Sequence, residues 1–171
     1  MAYEESEPVM TVRRHEVRRP GAMIHVMDTG GPGRAVVLLH GLAGYGAEWQ
    51  ATIEHLASWR VLALDQRGHG RSTRNPGDLP RNAYAGDVIA VLDAADVTEP
   101  VVLIGQSMGG HTAMWVAASS PTRIGRLVMI EGDTGGGGEA ALAELRAALE
   151  GWPARLRTGM RRSPSSAARA R

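Results

Sequence analysis

A chain of 171 residues, 43% of them apolar, is long enough for one domain with a core of its own and too short for two ordinary ones. The absence of cysteine excludes disulfides, thiolate metal sites and a cysteine nucleophile. The net charge of +1 hides an asymmetry: six arginines and no acid fall in residues 154–171, leaving 13 basic against 18 acidic side chains elsewhere.

The first eight residues are acidic and lack an apolar core, so no signal peptide is expected. No apolar run approaches the ~20 residues of a membrane span, and a cytoplasmic location is the default. Residues 9–17 and 22–28 read as two strands of an antiparallel pair joined by Arg18-Arg19-Pro20-Gly21. The glycines at 30, 31 and 33 read as a turn, because no Lys-Ser/Thr pair follows as a phosphate loop requires.

Residues 35–39 are continuously apolar, as expected of a strand covered on both faces in a parallel sheet. Residues 46–57 read as a short helix with Trp49, Ile53 and Leu56 on one face. Residues 60–64 form a second buried strand that stops at Asp65-Gln66-Arg67-Gly68-His69-Gly70-Arg71-Ser72, where Asp65 and Arg67 read as a structural pair fixing the loop. A helix is expected from about Asn82 to Ala95, with Val88, Ile89 and Leu92 on its apolar side.

Pro100 introduces an apolar strand that breaks at Gly105-Gln106-Ser107-Met108-Gly109 and resumes with helical spacing to Ser119. Strand, sharp turn and helix with a serine at the apex make the G-x-S-x-G nucleophile turn. Glycines at 105 and 109 allow the strand and helix to approach closely. A strand over 126–130, a glycine run and a helix over 139–150 follow. Strands alternating with helices predict an α/β fold, a mostly parallel sheet with helices on both faces. Ligands of such sheets bind beyond the carboxyl ends of the strands, where the loops after residues 39, 64 and 104 lie.

A serine that attacks a carbonyl needs donors aimed at the oxygen that becomes negative. In this arrangement one backbone amide comes from Met108 and a second from the loop after His40-Gly41, at Leu42. Three segments then stand in order: Leu39-His40-Gly41, Asp65-x-Arg67-Gly68-His69-Gly70-x-Ser72 and Gly105-Gln106-Ser107-Met108-Gly109-Gly110. Over residues 22–152 the sequence resembles the α/β-hydrolase superfamily, in the branch of esterases, lactonases, C–C bond hydrolases and cofactor-free haloperoxidases. Serine at the nucleophile position sets it apart from the dehalogenase and epoxide hydrolase members.

The resemblance implies Ser107 as nucleophile, and Leu42 and Met108 as oxyanion-hole donors. Some relatives place the catalytic acid directly after the strand that follows the nucleophile helix, where Glu131 and Asp133 stand here. The family's histidine comes late in a longer chain. Here the only histidine after Ser107 is His111, one turn into the same helix, and it is a candidate for the pocket wall rather than the base. His40 and His69 read as loop-structuring residues, His15, His25 and His55 as solvated or packing ones, and Trp49 and Trp115 as packing residues.

The expectation is therefore a C-terminally truncated α/β-hydrolase, with residues 1–152 as the N-terminal part of the domain and 153–171 as a disordered or frameshifted Arg-rich tail. Its substrate would be a small ester, lactone or related carbonyl compound, with no cofactor and no metal. Neither nucleic acid nor membrane is expected as a partner, and oligomeric state stays open. Little turnover is expected because the base is missing. The alternatives are a non-catalytic fragment that binds a ligand or partner, and a tail that binds nucleic acid.

Overall fold

The computed structural model describes residues 11–77 and 79–132. The helix expected over 139–150, the tail over 153–171 and Asp133 lie outside these residues.

The chain opens with β1 (Arg13–Arg19) and β2 (Ala22–Asp28), paired antiparallel in the register Arg19↔Ala22 to Arg13↔Asp28. Gly21 at the turn has φ 68°, a left-handed angle that a Pro-Gly corner supplies without strain. β3 (Ala35–Leu39) and β4 (Arg60–Leu64) coincide with the two apolar runs. They are followed by α2 (Arg81–Ala94), β5 (Val101–Gln106), α3 (Met108–Ser119) and β6 (Ile124–Ile130). Residues 46–57 depart from the expected helix: a 3-10 turn at Gly46–Trp49 leads into a single α turn, α1 (Gln50–Glu54). The chain then tightens through three-residue bonds, His55 N–H to Thr52 O and Leu56 N–H to Ile53 O, because it must reverse into β4 within a few residues.

The six strands lie in the order β1-β2-β4-β3-β5-β6. The β1/β2 and β2/β4 pairs are antiparallel, and β4/β3, β3/β5 and β5/β6 are parallel. β3 sits inside the sheet and all five of its residues are buried, which explains why its sequence does not alternate. Val37 and Leu39 face a core shared with Val88, Val91 and Leu92 of α2 and Ala113 and Val116 of α3. Val36 and Leu38 face the opposite layer with Ile53, backed by Trp49 and Leu56. Helices therefore cover both faces, and each fully buried leucine or valine contributes about 1.5–3 kcal/mol through apolar surface removed from water.

This topology sends the chain out of β3, β4, β5 and β6 at one edge of the sheet. The loops carrying the sequence motifs meet there.

Candidate active site

Ser107 links β5 to α3 with φ 49° and ψ −114°, angles that a non-glycine residue adopts only when its surroundings impose them. The surroundings are visible. A Cβ on Gly105 would collide with the backbone of Gly109 and Gly110, and one on Gly109 would collide with the Leu39 and His40 carbonyls. Strand and helix are thus closer than any side chain permits, and the turn between them is bent into the left-handed region. The Ser107 N–H donates to the Ile130 carbonyl at 2.8 Å, tying the turn to the end of β6.

The close approach of Gly109 to Leu39 and His40 also sets the loop after β3 beside the first turn of α3. Met108 is half-buried in that turn, while Leu42 is 44% exposed in the facing loop. The next residue, Ala43, has φ 62°. Gly41 lies against the end of the Gln106 side chain, which a Cβ there would push aside. The structure brings Leu42, Ser107 and Met108 to the same edge of the sheet.

His40 is fully buried and both ring nitrogens are engaged. Nε2 accepts the Gln66 backbone N–H at 2.9 Å, which places the proton on Nδ1, 2.8 Å from the Gly41 carbonyl it donates to. Burial pushes its pKa down to about 4, reinforced by His69 and opposed by the Gly41 carbonyl and Asp65. A neutral imidazole locked in this way shapes a loop and cannot shuttle protons. His69 likewise uses Nδ1 on the Arg67 carbonyl at 3.0 Å.

Gln66, an inconspicuous member of the loop after β4, ties the site together. Its side-chain N–H donates to the His40 carbonyl at 2.7 Å, and its side-chain oxygen accepts from the Thr112 hydroxyl at 2.8 Å. The loops after β3 and β4 and the helix after β5 are joined through this one buried amide. No sequence pattern announces it, since glutamine carries no charge or periodicity of its own.

Asp65 and Arg67 do not pair with each other, contrary to expectation. Asp65 accepts the Gly46 N–H at 2.5 Å and the Arg71 N–H at 2.7 Å, and lies 3.3 Å from His25 Nδ1. Arg67, 2% exposed, reaches instead to Asp87 on α2 with Nε–Oδ2 2.7 Å and Nη2–Oδ1 2.8 Å. Arg19 adds a third contact to the same carboxylate at 3.2 Å. The planar guanidinium fork meets the two Asp87 oxygens with one N–H each, the pairing that an arginine and a carboxylate make best.

Glu131 follows β6 directly, is exposed, has φ 51°, and accepts from the Gln106 side-chain amide at 3.1 Å. It stands beside the serine turn, with a glutamine for its partner. His111 lies on α3 with its N–H bonded to the Ser107 carbonyl at 3.2 Å. It lines a cavity of about 270 Å3 together with Met108, Thr112, Trp115, Tyr84 and Arg81. Trp115 is thus a wall of this cavity, 42% exposed, rather than a packing residue, whereas Trp49 packs as expected. Among the described residues no group of three or more histidines and acids is arranged to hold a metal ion.

Residues 34–169 match the family model described as the alpha/beta hydrolase fold. The chain belongs to this family. A 2-hydroxy-6-oxononadienedioate/2-hydroxy-6-oxononatrienedioate hydrolase of Cupriavidus pinatubonensis is 40% identical over 119 residues, 66% of this chain and 41% of that protein. The chain therefore spans about two fifths of that relative's length. A thermophilic esterase from Thermogutta terrifontis, solved with malate bound, superposes with a TM-score of 0.70 at 29% identity, over 81% of this chain and 52% of the esterase. Est816, described as an N-acyl homoserine lactone degrading enzyme, gives a TM-score of 0.70 at 30% identity over 80% of this chain and 54% of its own. Both likenesses fit the mostly parallel sheet covered by helices on either face.

Proposed function

We propose that the chain carries the nucleophile half of a serine hydrolase that acts by acyl transfer on a small carbonyl substrate. The observation that carries this reading is Ser107 at φ 49° between two glycines that leave no room for a side chain. Such strain costs on the order of 1–3 kcal/mol and persists where the surrounding structure enforces it. It lifts the serine hydroxyl off the sheet edge towards incoming substrate. In this reading Ser107 attacks, and the Met108 and Leu42 amides stabilise the developing oxyanion, each donor being worth about 3–4 kcal/mol in the transition state. Glu131 or Asp133 is the acid.

The class of bond is narrower by analogy. The relatives named above are a hydrolase of an oxononadienedioate, an esterase and an enzyme that degrades a lactone, and each of these compounds offers a carbonyl carbon to a nucleophile. The domain would occupy residues 1–152, with 153–171 as a tail of separate character and the cytoplasm as its compartment. Among the described residues, no helix is long and apolar enough to cross a membrane.

Turnover by this chain is slow in the same reading. His40 is locked neutral, and His111 leaves the turn on the outgoing helix, so among the described residues no histidine is placed as the general base for Ser107. The test is hydrolysis of a p-nitrophenyl ester with and without Ser107→Ala. Slow release that Ser107→Ala abolishes supports the reading. Release unaffected by the substitution contradicts it, and vigorous release abolished by it contradicts the missing base.

A second reading, a non-catalytic binding protein, is favoured by β6, where Leu127, Val128 and Ile130 are 39%, 42% and 40% exposed. A monodisperse, cooperatively unfolding monomer in sedimentation and melting experiments counts against it.

A further inference from the structure

The cavity beside the serine turn has a chemistry of its own. One face of α3 contributes Met108, His111 and Trp115, spaced three or four residues apart so that they line up along the helix. The first turn of α2 contributes Arg81 and Tyr84, and Leu79 completes the lining. At about 270 Å3 the space is slightly below the ordinary range of ligand pockets, about 300–1,000 Å3, and suits a small molecule.

Its walls divide by character. Trp115 and Leu79 are 42% and 58% exposed, large apolar groups that line the cavity rather than join either core. Arg81 brings a guanidinium to the same space. Arg19, Arg60, Arg67 and Arg123 each hold a carboxylate. The Arg81 side chain has no hydrogen bond or ion pair with any described residue, and no acid among the described residues lines the cavity. Tyr84 adds a phenol whose pKa burial raises, so that it remains a donor. An arginine fork, a phenol donor and an indole face are what an amphiphile with a terminal carboxylate requires.

We propose that the Arg81–Tyr84–Trp115 cavity is an acid-recognition subsite, taking carbonyl substrates that carry a second, anionic carboxylate group at the end remote from the reacting carbon. The carboxylate sits on Arg81, the apolar body lies along Trp115 and Leu79, and the reacting carbonyl points to the Ser107–Met108 turn. The orientation rests on the reading of Ser107 as nucleophile; the binding preference does not.

The test is a titration with 4-phenylbutyrate and its neutral isostere 4-phenylbutanamide, followed by NMR at the Trp115 indole N–H and the Arg81 amide. The same titration is run on Arg81→Gln, Arg81→Lys and Ser107→Ala. The acid saturates about two- to fivefold more tightly than the amide, as one ion pair at an exposed side chain gives. The preference disappears in Arg81→Gln, returns in part in Arg81→Lys, persists in Ser107→Ala and weakens with added salt. Arg81 is exposed, so its replacement leaves both cores untouched. Equal binding of the two probes, no saturable shift with either, or a preference that survives Arg81→Gln overturns the proposal. A preference that obeys Arg81 in a protein whose Ser107 takes no fluorophosphonate adduct even with added imidazole would sink the serine reading and leave the subsite standing.

Discussion

Gln66 grips His40 at two points, its backbone N–H on the ring Nε2 at 2.9 Å and its side-chain amide on the carbonyl at 2.7 Å. The loop that presents Leu42 is therefore held by the loop after β4, and through Thr112 by the nucleophile helix. Removing one arm tests the coupling. Thr112→Val keeps the shape and leaves the buried Gln66 oxygen without its donor, at a cost of about 1–3 kcal/mol. Urea unfolding should show that loss, and Thr112→Ser should recover most of it. Equal stability of Thr112→Val and wild type would show that the bond carries no weight.

The glycine packing around Ser107 makes a sharper demand. Gly109→Ala forces a methyl group against the Leu39 and His40 carbonyls, which belong to the rigid end of β3 rather than to a flexible side chain. Overpacking of this kind costs typically about 1–3 kcal/mol. It also displaces the loop after β3 from the serine turn. We expect lower thermal stability together with slower acylation of Ser107 by an organophosphonate. Unchanged labelling would mean that the loop after β3 does not assist the serine.

Asp87 anchors the β4 loop from below. Arg67 is 2% exposed beside it, so Asp87→Ala takes a carboxylate from a buried guanidinium and should destabilise by about 3–5 kcal/mol. The loss is measured by denaturant titration. A variant within about 0.5 kcal/mol of wild type, the range of ordinary surface substitutions, would refute the anchoring role.

His40 gives the protein a pH signature. Its folded pKa of about 4 lies below the unfolded value of 6.5, so the unfolded chain binds the extra proton first. Stability from this group is complete above pH 6.5 and is lost as pH falls towards 4, by about 3 kcal/mol in all. The His25 pKa is also lowered, by burial first, and acts in the same direction. Urea midpoints should fall between pH 7 and pH 4.5, and imidazole NMR should show His40 still neutral at pH 5.5. A His40 resonance titrating near pH 6.5 would contradict the buried, doubly bonded ring.

The sequence discloses what is local. β3 and β4 are legible because a strand buried on both faces must be apolar throughout, and α3 because glycine and proline bracket it. Ser107 is legible because only the two glycines allow its turn. Partner choice over distance is not legible. Arg67 finds Asp87, 20 residues on in α2, rather than Asp65 two residues away, and Gln66 acquires its role only when two loops and the α3 helix converge. The cavity is hidden for the same reason: Arg81 and Trp115 belong to different helices, and neither has a pattern that places it opposite the other. The 3-10 turn at Gly46–Trp49 escapes periodicity because so short a segment is shaped by where the chain must go next.

The central claim is that Ser107 is a nucleophile held ready but without a base, and chemical rescue tests it most directly. The intact chain is treated with a fluorophosphonate in rising concentrations of imidazole, and the adduct is located by peptide mass spectrometry. A serine poised without a base gives one slow adduct, on Ser107, whose rate climbs with imidazole, and no adduct in Ser107→Ala. Labelling at another residue, or Ser107 labelling that is fast and indifferent to imidazole, would contradict it.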